Sequence, residues 1–420
     1  MDSFSKNNMM NTLSIFEKHK RCNYVGEYPT IFEEEWEFIK ENYPKAEVKE
    51  ILAEIFMEYP IPYVDITESA AYNDYMKLKG FRWNEILKEG EWFPRKATVS
   101  RYPLTYDGKQ LFFSRINTGN KASNYFQQHN RWSVDGAVSP GPKRTWESKK
   151  YMTSLMGSVY SLKLPKIGKK ELRTMIGLRR YICAQFKPSV AKVFYDMNHA
   201  KTVLDFSMGW GDRLAGAFAS ETVDHYVGLD PRKENHPFYE KQRDFYTKHT
   251  SFFENPTKTD FYCSPAEDFD YSEYENYFDV VFTSPPYFSV ERYSHDDTQS
   301  WVRYKSIDDW NKDFLHKTLS KIIPTVKKGG VIAVNIADVY TNWVWSTDRK
   351  WLEICNPMND YLTSQGLTYK GCIGMQLAKR PNASGAGTAK NKTQYTDEIL
   401  KVSDETKHQH FCEPIWVFKK

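Results

Sequence analysis

The sequence predicts an α/β protein with a doubly wound, mainly parallel sheet, an antiparallel C-terminal edge, and an N-terminal helical and loop-rich region in front. Three observations carry this. From Lys166 onward strand-like and helix-like segments alternate, the pattern of parallel strands joined by crossover helices. Acid, glycine and proline signals fall just past the strand ends, one set per strand. The last two strand-like segments are separated only by a basic, Gly/Ala-rich loop, which predicts an antiparallel closing pair.

The elements follow in order. IFEEEWEFIKENY and KAEVKEILAEIFMEY, within residues 1–90, space their apolar residues by three and four and predict helices. Residues 95–150 change character, with short strand-like pieces, many Gly, Asn and Pro, and basic residues among aromatics. The SPGPK stretch at residues 139–143 reads as a linker, so a boundary is expected at 150, with an N-terminal region 1–150 and a sheet domain 151–420. KKELRTMIGLRRYICAQF predicts a helix, and Lys187-Pro188 opens another in SVAKVFYDMNHA. KTVLDFS, HYVGLDP, TDFYCSPAEDF, YFDVVFTSPP and VIAVNIADV predict five strands. The intervening helices include DWNKDFLHKTLSKIIPTV, expected to stop at KKGG. WLEICNPMNDYLTSQG predicts a further helix, and LTYKGCIGMQLA and EPIWVFKK the closing strands.

The bulk numbers narrow the class. With 420 residues, 40% apolar and 16% aromatic, the chain can bury a large core. No apolar run reaches the roughly 18 residues of a membrane span, and the start lacks a secretory layout, so no membrane partner and a cytoplasmic site are expected. Six scattered cysteines without a C-x-x-C pair predict reduced thiols, and no metal site is assigned. Net charge is +4 in the whole chain, but residues 95–150 carry +8 and residues 151–198 carry +7, between acidic flanks. Such a block suits an anionic partner such as nucleic acid; an ordinary solvated face is the other reading.

In open sheets of this kind ligands lie beyond the carboxyl ends of the strands. After the first strand come Asp205, Ser207, Gly209 and Gly211, where glycines let a ligand approach the backbone and the next helix offers N–H groups. Glycine turns between strand and helix are also common without a ligand. Asp230 ends the second strand, placed either to take ribose hydroxyls or to cap the helix after Pro231. Past the third strand, Ser264, Ala266 and Glu267 offer groups to an adenine edge. The fourth strand runs through YFDVVFTSPPYFS, residues 277–289, and ends on Ser284-Pro285-Pro286-Tyr287.

These segments resemble the S-adenosylmethionine-dependent amino-methyltransferases of nucleic-acid bases, the DNA N4-cytosine and N6-adenine enzymes. LDFSMGWGD, GLDP, SPAED and TSPPYF match the family's successive motifs, FKPSVAKVF the helix before them, and EPIWVFKK its last strand. The likeness spans about residues 170–420. One departure stands in the first motif: Ser207 replaces the usual phenylalanine, so a ring contact to the cofactor would fall to Phe206 or Trp210.

The resemblance implies a class I methyltransferase (Rossmann-like) sheet, S-adenosyl-L-methionine as cofactor, and transfer of its methyl to an exocyclic base amine after base flipping. Ser284 and Pro285 would accept the two amino hydrogens, Pro286 would stiffen the turn, and Tyr287 or Phe288 would stack on the extruded base. Cytosine is expected slightly ahead of adenine, since Ser before Pro-Pro is commoner in the cytosine enzymes. DNA is the expected partner and RNA the alternative. A non-catalytic nucleic-acid-binding subunit and a small-molecule methyltransferase are the other classes. Nucleic-acid grip is expected from residues 95–150, with Phe112, Phe113, Tyr125, Phe126, Trp132 and Trp146 either stacking on bases or forming a small core. Lys379 and Arg380, on the basic loop before the last strand, are expected to contact backbone phosphates.

Overall fold

The computed structural model describes residues 24–25, 28–94, 100–162, 164–250, 256–340, 351–377 and 410–420. Two compact units form, one from Met1–Asp65, Gln128–Ala184 and Glu291–Tyr293, the other from Ile66–Gln127, Gln185–Val290 and Ser294–Lys420. The boundary expected at 150 is therefore corrected. Residues 66–127 join the sheet, and residues 128–184 return to pack with the N-terminal helices.

The first unit is helical. Glu33–Asn42, Lys45–Met57, Lys149–Ser161 and Lys169–Arg179 enclose a core that includes Trp36, Leu52, Phe56, Met156 and Ile176. Lys45–Met57 turns Val48, Ile51, Leu52, Ile55 and Phe56 inward, the three- and four-residue spacing that the sequence shows. The helix begun at Lys169 stops at Arg179, seven residues earlier than its apolar pattern suggests, because Arg180 is extended. Charge is redistributed by this packing. Residues 128–184 hold twelve basic and three acidic residues, residues 1–65 hold seven and thirteen, and the unit is left at +3. Lys149 meets Glu54 and Lys169 meets Asp65, each at 2.6 Å.

The second unit is built on a ten-stranded sheet. Its main strands are β1 (Thr202–Asp205), β2 (His225–Leu229), β3 (Lys258–Tyr262), β4 (Phe278–Thr283), β5 (Val326–Asn335), β6 (Thr368–Gln376) and β7 (His410–Lys419). The order is Leu87–Glu89, Leu111–Phe113, β6, β7, β5, β4, β1, β2, β3, with Trp92–Pro94 beside β7. Strands β1 to β5 are parallel to one another, and β7 runs antiparallel between β5 and β6. This is the class I methyltransferase (Rossmann-like) sheet with the antiparallel edge that the sequence predicts. Successive residues point to opposite faces: Val203, Tyr226 and Val280 to one apolar layer, Leu204, Val227 and Val281 to the other.

Three local departures have clear causes. The KKGG stretch lies inside β5, not at a helix stop: the register against β4 shifts between Phe278 and Val280, and Gly329 takes a φ of 84°. Trp351–Leu352 pairs with Val339–Tyr340, so the following helix begins only at Cys355. Asn120–Trp132 is a helix, although its Asn and Ser content reads as loop. Among the described residues no helix is long and apolar enough to cross a membrane.

Residues 66–127 are integral to the sheet unit. Tyr75, on helix Glu68–Lys79, stacks on Tyr246 at 4.7 Å and donates to the Phe218 carbonyl at 3.0 Å. Truncating this fully buried ring leaves a cavity and an unsatisfied carbonyl. Tyr75→Ala should therefore cost about 3–5 kcal/mol in denaturant unfolding of the full chain; a loss below about 1 kcal/mol would detach residues 66–127 from the sheet.

Candidate active site

The order of the strands reverses between β1 and β4, and a crevice for ligands opens at such a switch point beyond the strand ends. The sequence-predicted groups gather at this edge. Asp205 ends β1 and is fully buried. Its carboxylate accepts from Arg213 Nε at 2.8 Å and Nη2 at 3.1 Å, Tyr226 hydroxyl at 2.7 Å, Thr283 hydroxyl at 3.1 Å and Ser207 N–H at 3.2 Å. Burial pulls the Arg213 guanidinium down, but the Asp205 charge outweighs it and the net shift is upward. Five donors occupy Asp205, so it anchors the turn where the sequence reading expected a ligand contact.

The turn after β1 is shaped by its glycines. Gly209 and Gly211 have φ of 59° and 71°, the left-handed region that glycine enters at least cost. A Cβ on Gly211 would collide with the Gln242 amide. At Gly209 a Cβ would meet nothing nearer than Ser207 O at 3.9 Å, so open space lies over this backbone. Gly209 N–H donates to Asp230 Oδ2 at 2.9 Å, and its carbonyl accepts from Tyr239 hydroxyl at 2.6 Å and Asn235 Nδ2 at 2.9 Å. Ser207 is half-buried, with its carbonyl taken by Arg213. Phe206 is buried in the apolar layer below the sheet, and Trp210 is buried under the Arg232 guanidinium at 5.5 Å.

Asp230, just past β2, is held by the N–H groups of Gly209 and Arg232, the latter at 2.8 Å. Burial raises its pKa above the ordinary carboxylate value, and these two N–H bonds oppose the rise. Each oxygen has one backbone donor and keeps acceptor capacity for hydroxyls. The helix-cap alternative is not the arrangement found, since the helix begins at His236, whose ring Nε2 lies 2.8 Å from the Asp230 carbonyl.

Past β3 the outcome is mixed. Ser264 is half-buried and its hydroxyl donates to the Pro265 carbonyl at 3.1 Å, while Ala266 is buried. Glu267 is 1% exposed, and its carboxylate accepts from Arg303 at 2.8 Å and Tyr304 at 3.1 Å. The expected adenine contact by the Glu267 side chain is thus replaced by an internal ion pair, whose partner lies 36 residues away in sequence.

The end of β4 is different in kind. Thr283 ties this strand to Asp205, and Ser284 follows it directly. Among the described residues neither the half-buried Ser284 hydroxyl nor the Pro285 carbonyl has a hydrogen-bond partner. Pro286 and Tyr287 are half-buried, and the Pro286 carbonyl accepts from Phe288 N–H at 3.0 Å. Phe288 takes a φ of 51°, an outlier for a bulky side chain, and such strain persists only where the surroundings enforce it. Its ring is buried edge-on to Trp310 at 6.4 Å. It belongs to the core, which corrects its expected role as a stacking face and leaves Tyr287. Phe112, Phe113, Phe126, Trp132 and Trp146 are buried as well, though not in one small core: they are divided among three larger apolar clusters, and of the six only Tyr125 is exposed. Lys379 and Arg380 lie outside the described residues.

The sheet order, with β7 antiparallel between β5 and β6, is that of the class I methyltransferase (Rossmann-like) fold. The chain is similar in fold to a SAM-dependent methyltransferase from Archaeoglobus fulgidus, at 14% identity over 56% of this chain and 95% of that one, with a TM-score of 0.32. A similar likeness is found to an S-adenosylmethionine-dependent methyltransferase from Mesorhizobium loti, at 9% identity over 55% and 98%, with a TM-score of 0.29. The [4+2]-cyclase SpnF also matches, at 13% identity over 55% and 80%, with a TM-score of 0.32. No protein-family model and no curated protein sequence matches the chain. Fold alone does not choose a reaction.

Arg213→Ala would leave the Asp205 charge buried and unpaired. Stability should fall by about 3–5 kcal/mol in chemical denaturation; a loss under about 1 kcal/mol would show that the pair does not organise the turn.

Proposed function

We propose that this chain is an S-adenosylmethionine-dependent methyltransferase acting on the exocyclic amino group of a nucleic-acid base, cytosine N4 or adenine N6. The observation that carries the reading is the pair of unpartnered acceptors, Ser284 Oγ and Pro285 O, held beside the switch point by Thr283 and the proline backbone. The open face of Gly209 and the two-oxygen acceptor of Asp230 fit a cofactor carrying a ribose. Asp230 would take the ribose hydroxyls, the Ser207–Gly211 turn the amino-acid end, and the Ser264–Ala266 backbone the adenine edge.

When bound, the cofactor supplies a sulfonium methyl electrophilic enough for direct displacement. The protein's part is to make the amine a nucleophile. Ser284 and Pro285 would each accept one amino hydrogen, drawing nitrogen towards tetrahedral geometry and its lone pair out of the ring. The prolines fix the carbonyl beforehand, so little ordering remains to be done at the transition state. Tyr287, half-buried beside them, supplies a ring on which an extruded base can stack. A nucleic-acid partner has less net charge behind it than the sequence suggests, because the basic segment 128–184 shares a unit with the acidic residues 1–65.

Incubation with labelled cofactor and duplex DNA, single-stranded DNA, RNA or free nucleosides, followed by nucleoside mass spectrometry, tests the reaction. N4-methylcytosine or N6-methyladenine is expected, and methylation of a ring carbon would sink the mechanism. Ser284→Ala should lower kcat on the order of a hundredfold, the scale of one lost preorganised group; an unchanged kcat would remove Ser284 from the chemistry.

Cofactor affinity should also depend on pH in a defined direction. Only the Asp230 carboxylate can accept two hydroxyls, and its pKa in the free protein is raised. Affinity is then full above that pKa and weakens as pH falls through it, at a pH above the ordinary value of about 3.9. Calorimetric titration across acid pH should show this bend, and Asp230→Ala should bind more than about tenfold more weakly with the bend gone.

A further inference from the structure

We propose that Arg303 is a positioning residue for the cofactor turn Ser264–Asp268, an assignment that rests on the cofactor reading above. Glu267 is almost completely buried, and a buried carboxylate needs a matched partner. One guanidinium nitrogen, Arg303 Nη1, stands 2.8 Å from Glu267 Oε1 and 2.6 Å from Asp268 Oδ2. Tyr304 donates to the same Glu267 oxygen, and Lys317 reaches the other Asp268 oxygen at 3.3 Å. Arg303 itself is fixed by Nε donating to the Asp297 carbonyl at 2.8 Å. Consecutive carboxylates are thereby pinned to one nitrogen of a planar guanidinium whose Nε is held elsewhere, and the backbone at Glu267 and Asp268, the end of the turn, is tied down through its side chains.

The same short helix, Ser300–Arg303, bears on the catalytic loop. Ser300 Oγ accepts from Trp310 Nε1 at 3.2 Å, and Trp310 backs Phe288, the strained residue after Tyr287. Arg303 thus holds the adenine side of the site from a helix whose first residue is keyed to the wall behind the Ser284–Tyr287 loop. It does so without touching the ligand. Its removal should loosen cofactor binding more than it slows chemistry.

Calorimetry with S-adenosylmethionine on the full chain tests this. R303A should bind about tenfold more weakly than wild type, the scale of a coupled buried pair. R303K, which keeps the charge but not the fork, should fall between them. KM for the cofactor should rise with Kd and by more than kcat falls. Amide exchange at residues 264–269 should quicken in unliganded R303A and stay unchanged at residues 205–211. Arg243→Ala, an exposed residue paired with Glu240 and Asp244, is the control and should bind as wild type. If R303A does not fold, E267Q/R303M buries no charge and should still bind more weakly. Affinity within twofold of wild type in R303A or in the double variant, or a loss of kcat at unchanged Kd, overturns the assignment alone. Failure of the wild-type protein to bind S-adenosylmethionine overturns the cofactor reading and this assignment together.

Discussion

A carboxylate taken out of water must find its compensation inside the protein, and Asp205 finds it in residues from four different elements. Arg213 comes from the helix after the glycine turn, Tyr226 from β2, Thr283 from β4 and the Ser207 N–H from the turn itself. An ion pair this deep adds little net stability compared with apolar packing, but leaving either partner alone is costly. It therefore acts as a constraint: the turn, the helix and both strands can be satisfied in one arrangement only. Asp230 is then fixed through Gly209, and Ser284 through its neighbour Thr283. Both halves of the candidate site depend on one buried charge.

Much of this was legible because it rests on short-range chemistry. The alternation of strands and helices from Lys166 reports parallel pairing, and the sheet follows it, including the antiparallel return of β7. The glycines at 209 and 211 mark backbone that only glycine enters easily, and they mark it in the sequence as clearly as in the structure. Ser284-Pro285-Pro286-Tyr287 ends β4 as expected, and among the described residues the Ser284 hydroxyl and the Pro285 carbonyl have no hydrogen-bond partner.

What was not legible depends on partners far away along the chain. Glu267 reads as a free acceptor until Arg303 is seen against it, and the cations of residues 95–150 read as a nucleic-acid grip until one of them, Lys149, is found on Glu54, 95 residues earlier. The basic block shows the same limit at larger scale, since counting charge in a window cannot see that residues 128–184 share a unit with the acidic residues 1–65. The aromatics of residues 95–150 misled for a related reason. Interleaving with lysine and arginine suggests a binding surface, but Phe112 and Phe113 lie on a strand paired on both sides, by Leu87–Glu89 and β6, and both side chains are buried. The helix 120–132 was missed because its Asn and Ser residues lower intrinsic propensity, which tertiary packing overrode.

On the proposed function, one buried carboxylate, Asp205, sets a cofactor turn and an amine-activating loop on either side of the same switch point. A crystal structure with S-adenosylhomocysteine bound tests it most directly. The ribose hydroxyls are expected on Asp230, the adenine against the 264–266 backbone, and the sulfur facing Ser284 Oγ and Pro285 O with Asp205 still bound to Arg213. A ligand seated elsewhere, or one bound here with its sulfur turned away from Ser284 and Pro285, would contradict it.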